Sequence, residues 1–348
     1  MNAKVSFVVP TLNRGRYVVR AVDSCLAAKT IETDVEVVVL DSMSDDGSWE
    51  LLNERFGDDP RVILAQNERG LGPTHSWLDG ARLITGDYVT FLWSDDYVCK
   101  DFLRILLPPL LDGCVSAFGT GLIRDIDDNS PLPMLAGATK RIRGLDLLEH
   151  HLGLISGIDL PVSPAVALFT RAVFECWIVE VEDWCLRPGV YYKIMWRRAI
   201  GPDLMLFLAA STCATQQVSV HRRAVAQFSS HPGSITIASS RTPLRVGYWL
   251  AKWWAVRSLI ADDTKSSIKC AAQLTLSGLL IYIRARSTAT SGLDAVTLSE
   301  FKGEVDEAWK RLIKIAGPVH GVAVLAWSAG RLTWKAVVLR IGWSQKLV

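Results

Sequence analysis

The chain has 348 residues, 49% of them apolar, which excludes a disordered protein and allows one large domain plus an appended region. Its seven cysteines stand as singles with no CxxC pair, which excludes a zinc module and suits a reducing compartment. The net charge of +2 hides an asymmetry: from Pro243 onward 15 Lys and Arg face 7 Asp and Glu, so the rest is acidic and gives nucleic acid no footing.

Residues 5–10 predict a short buried strand stopped by Pro10. A helix follows over 16–28, with apolar Val18, Val19, Val22, Cys25 and Leu26. Residues 35–40 are a second buried strand ending at Asp41, 47–56 a helix, and 62–65 a third strand. A helix over 72–85 then delivers the chain to a strand at 88–92, and 114–124 reads as another strand. This alternation predicts an α/β protein with a parallel, doubly wound sheet and helices on both faces. Residues 125–133 form an acidic, proline-bearing loop. The start runs straight into a strand without a signal-peptide core, and the most apolar stretch, 270–283, is shorter than a spanning helix needs. A cytoplasmic protein is expected.

In such a sheet the residues that follow the strands collect along one edge, where ligands bind. The four exits carry Thr11, Asn13 and Arg14; Asp41 with Ser44, Asp45 and Asp46; Asn67, Gly70 and Gly72; and Ser94, Asp95 and Asp96. Asp41 suits a base edge or ribose hydroxyl, and the Gly70–Gly72 turn allows close backbone approach to a phosphate or sugar. Adjacent carboxylates at a strand exit offer hard oxygen ligands to Mg²⁺ or Mn²⁺, which in turn hold phosphates. Each exit alone is ordinary turn chemistry. Four together read as a nucleotide site.

The residues Val8-Val9-Pro10-Thr11-Leu12-Asn13-Arg14, Val39-Leu40-Asp41, Ser44-Asp45-Asp46-Gly47-Ser48, Asn67-Glu68-Arg69-Gly70-Leu71-Gly72 and Phe91-Leu92-Trp93-Ser94-Asp95-Asp96 agree in order and spacing with a known family. Over roughly its first 110 residues the chain resembles the inverting nucleotide-sugar glycosyltransferases of family 2, which have the GT-A fold. The resemblance implies a glycosyltransferase domain over 1–242, with a nucleotide-sugar half at 1–112 and an acceptor half at 113–242. Pro10, Thr11, Asn13, Arg14, Asp41, Asn67, Gly70, Gly72, Ser94 and Asp96 would contact the donor, and Asp95 would hold the metal. A looser likeness downstream makes Asp203 the catalytic base, in Gly201-Pro202-Asp203-Leu204, with Glu182 and Asp183 as runners-up in a Trp-rich stretch read as a loop over the acceptor. His231, in Ser230-His231-Pro232-Gly233-Ser234, would complete the metal's coordination or donate to the β-phosphate. Trp93 departs from the family, which usually has an acid there.

The implied partners are a nucleotide-sugar donor, a UDP-sugar first among them, and a saccharide acceptor, lipid-linked or part of a growing polysaccharide. The competing readings are a non-catalytic nucleotide-sugar scaffold, motivated by Trp93, and a nucleotidyltransferase, whose glycine-rich loop after the first strand is missing. Residues 243–348 hold seven of the 13 tryptophans among basic residues. That pattern fits peripheral docking on the inner membrane face and, equally, a helical core or a homo-oligomer contact.

Overall fold

The computed structural model describes residues 2–67, 70–125, 139–155, 163–210, 217–230, 241–259, 265–287, 292–318, 320–326 and 329. Strand β1 (Ala3–Thr11) sends Val5, Phe7 and Val9 to one face and Val8 to the other, all fully buried. Strand β2 (Thr33–Asp41) repeats this with Val35, Val37 and Val39 opposite Val38. Sheets covered on both sides need such continuous apolar strands. Helix α1 (Arg16–Ala27) buries Val18, Ala21, Val22 and Cys25, the spacing of a single helical face, against β1 and β2.

The chain continues through α2 (Ser48–Phe56), β3 (Val62–Gln66), α3 (Pro73–Arg82), β4 (Tyr88–Phe91), β5 (Tyr97–Val98), α4 (Phe102–Leu111), β6 (Ser116–Asp125), β7 (Thr139–Arg143) and α5 (Gly144–His151). It then forms β8 (Ala167–Thr170), α6 (Arg171–Cys185), α7 (Pro202–Ala209), β9 (Gln217–Ser230), α8 (Arg241–Leu259), α9 (Lys265–Ser287) and α10 (Ala295–Ala316). Among the described residues the sheet order is β3-β2-β1-β4-β8-β6-β9-β5, with β7 on β9. Strands β1 to β4 pair in parallel, as expected, with Thr11 beside Asp41 and Asp41 beside Gln66. The exceptions in the expected mostly parallel sheet are β8, which runs antiparallel to both β4 and β6, and β5 and β7 on β9. The result is a mostly parallel α/β sheet. Its order reverses at β1, which opens a crevice between the exits of β1 and β4.

Helices α1, α2 and α4 cover one face, while α3, α6, α7 and α8 cover the other. Helix α8 therefore belongs to the main core, closer to the sheet than an appended region starting at 243 suggested. Its Trp249, Trp253 and Trp254 are buried, and their indole N–H groups donate to the Leu274 carbonyl, Glu304 and Glu180. These tryptophans are core residues with satisfied polar edges and are closed to a membrane surface. Trp327, Trp334 and Trp343 lie outside the described residues. Within α9 the span Ser266–Ser287 is, by length and composition, apolar enough to cross a membrane, and 44% of its apolar window is buried.

Candidate active site

The crevice is a cleft of about 570 Å³ lined by Pro10, Thr11, Arg14, Gly70, Gly72, Ser94, Asp95 and Asp203 among others. Eight of the residues expected at the site from sequence are thus gathered on one cavity. The β1 and β2 exits are locked together. Asn13 Nδ2 donates to Asp45 at 2.9 Å, Asp45 N donates back to Asn13 Oδ1 at 2.9 Å, and Ser48 Oγ accepts from Arg14 N and Gly15 N. Asn13 and Met43 hold left-handed φ angles of 54° and 59°, strain of the kind that accumulates at binding loops. Asn13 builds the cleft's rim and does not line it.

Asp41 is fully buried, and its carboxylate accepts from Ser44 N at 3.0 Å and Gln66 Nε2 at 3.0 Å. Its backbone carbonyl accepts from Asn67 N. Asp41 and Asn67 therefore stand behind the cleft wall, where sequence reasoning had put them in contact with the donor. Thr11 Oγ1 and Asn67 Oδ1 are buried with no hydrogen-bond partner among the described residues. Groups left this way are matched elsewhere by ligand or water.

At the β4 exit the two carboxylates part. Asp95 faces the cleft, with Arg14 Nε 3.5 Å from its Oδ2. Asp96 turns inward, where its Oδ1 accepts from Ser229 N on β9 at 2.8 Å. Burial and the neighbouring Asp95 charge push the Asp96 carboxyl well above the ordinary range. Asp96 is thus a brace for the turn, correcting its expected place beside the donor. Arg20 Nη2 donates to the Asp95 carbonyl at 2.9 Å and to Ser229 Oγ at 3.2 Å, tying the turn to α1 and β9.

Among the described residues no cluster of three or more His, Cys, Asp or Glu could cage a metal. Among the described residues at the β4 exit, Asp95 presents a carboxylate to the cleft, and His231 lies outside the described residues. This donor set fits a cation that substrate phosphates and water complete, as Mg²⁺ sites commonly are.

Asp203 sits in the first turn of α7, behind Pro202 and Gly201, at the positive end of the helix. Its Oδ2 accepts from Tyr248 OH at 3.2 Å, and burial raises its pKa to about 6. Trp177 Nε1 fixes the helix start by donating to the Pro202 carbonyl at 2.8 Å. Gly201 has φ 116°, and Gly247 lies so close that a Cβ there would meet the Ile200 carbonyl at 2.4 Å. Only glycine lets α8 approach this turn, and that approach places Tyr248 on Asp203. The runners-up are spent on the surface, Glu182 on Arg82 and Asp183 on Arg187. Their Trp-rich stretch is the helix α6, not a loop, and Trp177 and Trp184 are buried in it.

Sequence reasoning missed Tyr248, Leu244, Trp77 and Arg197, all of which line the cleft. Arg197 donates to the Gly70 carbonyl at 2.7 Å, closing the far segment over the glycine turn. The only local signal was the basic pair Arg197-Arg198 just upstream of Gly201-Pro202-Asp203. Trp93 also lines the cleft, stacked on Phe91 and 4.6 Å from Trp77.

The relatives of this chain are sugar transferases. It is 33% identical over 103 residues to the abequosyltransferase RfbV of Salmonella typhimurium, covering 29% of this chain and 31% of that one. It is 31% identical over 126 residues to a GalNAc(5)-diNAcBac-PP-undecaprenol beta-1,3-glucosyltransferase of Campylobacter jejuni, covering 34% and 38%. The chain thus spans about a third of these curated relatives. In fold it resembles crystalline S. aureus TarS 1-349 in complex with UDP-GlcNAc, at TM-score 0.58 and 16% identity over 94% of this chain and 87% of that one. Residues 6–175 match the description of glycosyl transferase family 2. That match lies over the sheet whose edge forms the cleft, and through residues 6–175, just under half of its length, the chain is similar to glycosyl transferase family 2.

Proposed function

We propose that the protein is an inverting glycosyltransferase that moves a sugar from a nucleoside-diphosphate donor to a hydroxyl of a saccharide acceptor. The acceptor is a lipid-linked or growing surface polysaccharide. The observation that carries this is Asp203, a half-buried carboxylate with pKa about 6 lining the same cleft as Asp95 and Arg14. A general base works best when its pKa lies near the operating pH.

The donor's nucleotide sits along the exits of β1 to β3, where Thr11 Oγ1, on the cleft's lining, has hydrogen-bonding capacity to spare. Arg14 and Asp95 face the diphosphate. Mg²⁺ or Mn²⁺ held by Asp95 would supply Lewis-acid neutralisation of the departing charge. Asp203 takes the acceptor's hydroxyl proton as that oxygen bonds to the anomeric carbon and the bond to the diphosphate breaks. Tyr248 keeps the Asp203 carboxylate oriented while it is charged. Attack opposite the leaving group inverts the anomeric centre.

The test incubates the protein with UDP-, GDP- and dTDP-sugars plus Mn²⁺ and measures nucleoside-diphosphate release for the native chain and Asp95→Ala. Release with one donor, lost in the variant, is expected. Donor binding by calorimetry without turnover on any acceptor would favour the scaffold reading that Trp93 suggests.

A further inference from the structure

Under the reading above the donor's sugar lies between Asp95 and Asp203, in a cleft whose lining has a large apolar share beside Ser94, Arg197 and Tyr248. Trp93, Trp77, Leu71, Ile200 and Leu244 line it. Trp93 stands where the family that the chain resembles usually has an acid. Its one polar atom is already used, because Nε1 donates to Ser163 Oγ at 3.1 Å. The ring is held flat on Phe91 at 14° and packs on Trp77, so it presents only carbon to a ligand. Two lining hydroxyls are engaged as well. Tyr248 OH donates to Asp203, and Ser76 Oγ is shared by Ser42 Oγ at 2.6 Å and Asn67 Nδ2 at 3.1 Å.

A fully hydroxylated hexose placed here gives up hydrogen bonds to water and meets indole and aliphatic carbon in return. Removing a ring hydroxyl leaves only a shallow CH₂. Removing the C6 hydroxyl leaves a protruding methyl, the group that gains most from an apolar wall. We infer that the donor sugar is a 6-deoxyhexose whose methyl packs against Trp93 and Trp77. This rests on the transferase reading and narrows its donor class. Apolar pockets discriminate weakly against an added hydroxyl, so the preference is bounded at roughly 10- to 100-fold.

The experiment is calorimetric binding of matched donors to the full chain with Mn²⁺: GDP-mannose against GDP-rhamnose, dTDP-glucose against dTDP-6-deoxyglucose, and UDP-galactose against UDP-6-deoxygalactose. Within a pair that binds, the deoxy donor is expected to bind roughly 10- to 100-fold more tightly. Trp93→Asp should abolish or reverse that ratio, and Trp93→Phe, which keeps an apolar ring, should preserve it. If the hydroxylated donor binds equally or better in every binding pair, the inference is overturned while the transferase reading stands. If none of the six donors binds, the inference is overturned, and the transferase reading is decided separately by the wider donor panel above. The Phe variant and the native ratio keep the result readable even where Trp93→Asp unfolds.

Discussion

Under the proposed mechanism Asp203 answers two opposed demands, since a base must be charged at work while burial favours the neutral acid. Burial wins far enough to lift its pKa from 3.8 to about 6. Turnover limited by this base should fall about tenfold per pH unit below that value and level off above it. A pH profile of kcat/KM measures the break. The sign for stability is the reverse. Between pH 3.8 and about 6 the folded carboxyl keeps a proton that the unfolded one has lost, so stability falls as pH rises through that window. Asp203→Asn should therefore melt higher than the native protein at pH 7 while losing about 10²- to 10⁴-fold in kcat. A variant that melts lower and keeps its activity would remove Asp203 from the mechanism. The two neighbouring aspartates show the limit of residue-by-residue reading. Sequence placed Asp95 on the metal and Asp96 on the donor, but a single turn of backbone sends one into the cleft and the other onto Ser229.

Elements β1 through β4 were legible because each strand is a short apolar run and each helix carries its buried face at three- and four-residue spacing. The direction of β8 was not. Four residues, Ala167–Thr170, read the same whichever way they pair, and only their neighbours β4 and β6 decide it. The stretch read as a Trp-rich loop contained its own correction. Val173, Phe174, Trp177, Val181 and Trp184 recur at helical intervals and are the buried face of α6. The contact between α7 and α8 was invisible in sequence, since a glycine reveals no partner until another backbone meets it. Gly247→Ala must push α8 off the Ile200 carbonyl. Overpacking of this kind costs about 1–3 kcal/mol. The variant should show a lower melting temperature together with a lower kcat, because Tyr248 moves with the helix. A change in stability with kcat intact would mean that Tyr248 does not orient the base.

At the scale of the molecule, α8 joins the sheet's core and lends Leu244 and Tyr248 to the cleft. A chain shortened to end at residue 240 exposes the surface that Val246, Trp249, Leu250 and Trp253 now cover. Large buried side chains contribute about 1.5–3 kcal/mol each, so the shortened chain should lose cooperative thermal unfolding by circular dichroism. A folded, melting product would restore the picture of an appended region. The outer side of α9 exposes Leu279, Leu280 and Ile283 beside Arg284 and Arg286. An apolar strip with a basic edge suits an anionic bilayer. Flotation with phosphatidylglycerol vesicles should carry the chain upward at low salt and fail for Leu280→Glu/Ile283→Glu. Equal flotation of both would discard this strip as the contact.

The fold class and most of the residues that gather on the cleft, Asp95 and Asp203 among them, were written in the sequence, because apolar periodicity and strand-exit chemistry are local properties of the chain. The antiparallel strand, the inward turn of Asp96, the Tyr248–Asp203 pair and the aromatic wall at Trp93 were decided by the tertiary structure. Each of these depends on groups brought together from distant parts of the chain, and packing alone determines which of them meet.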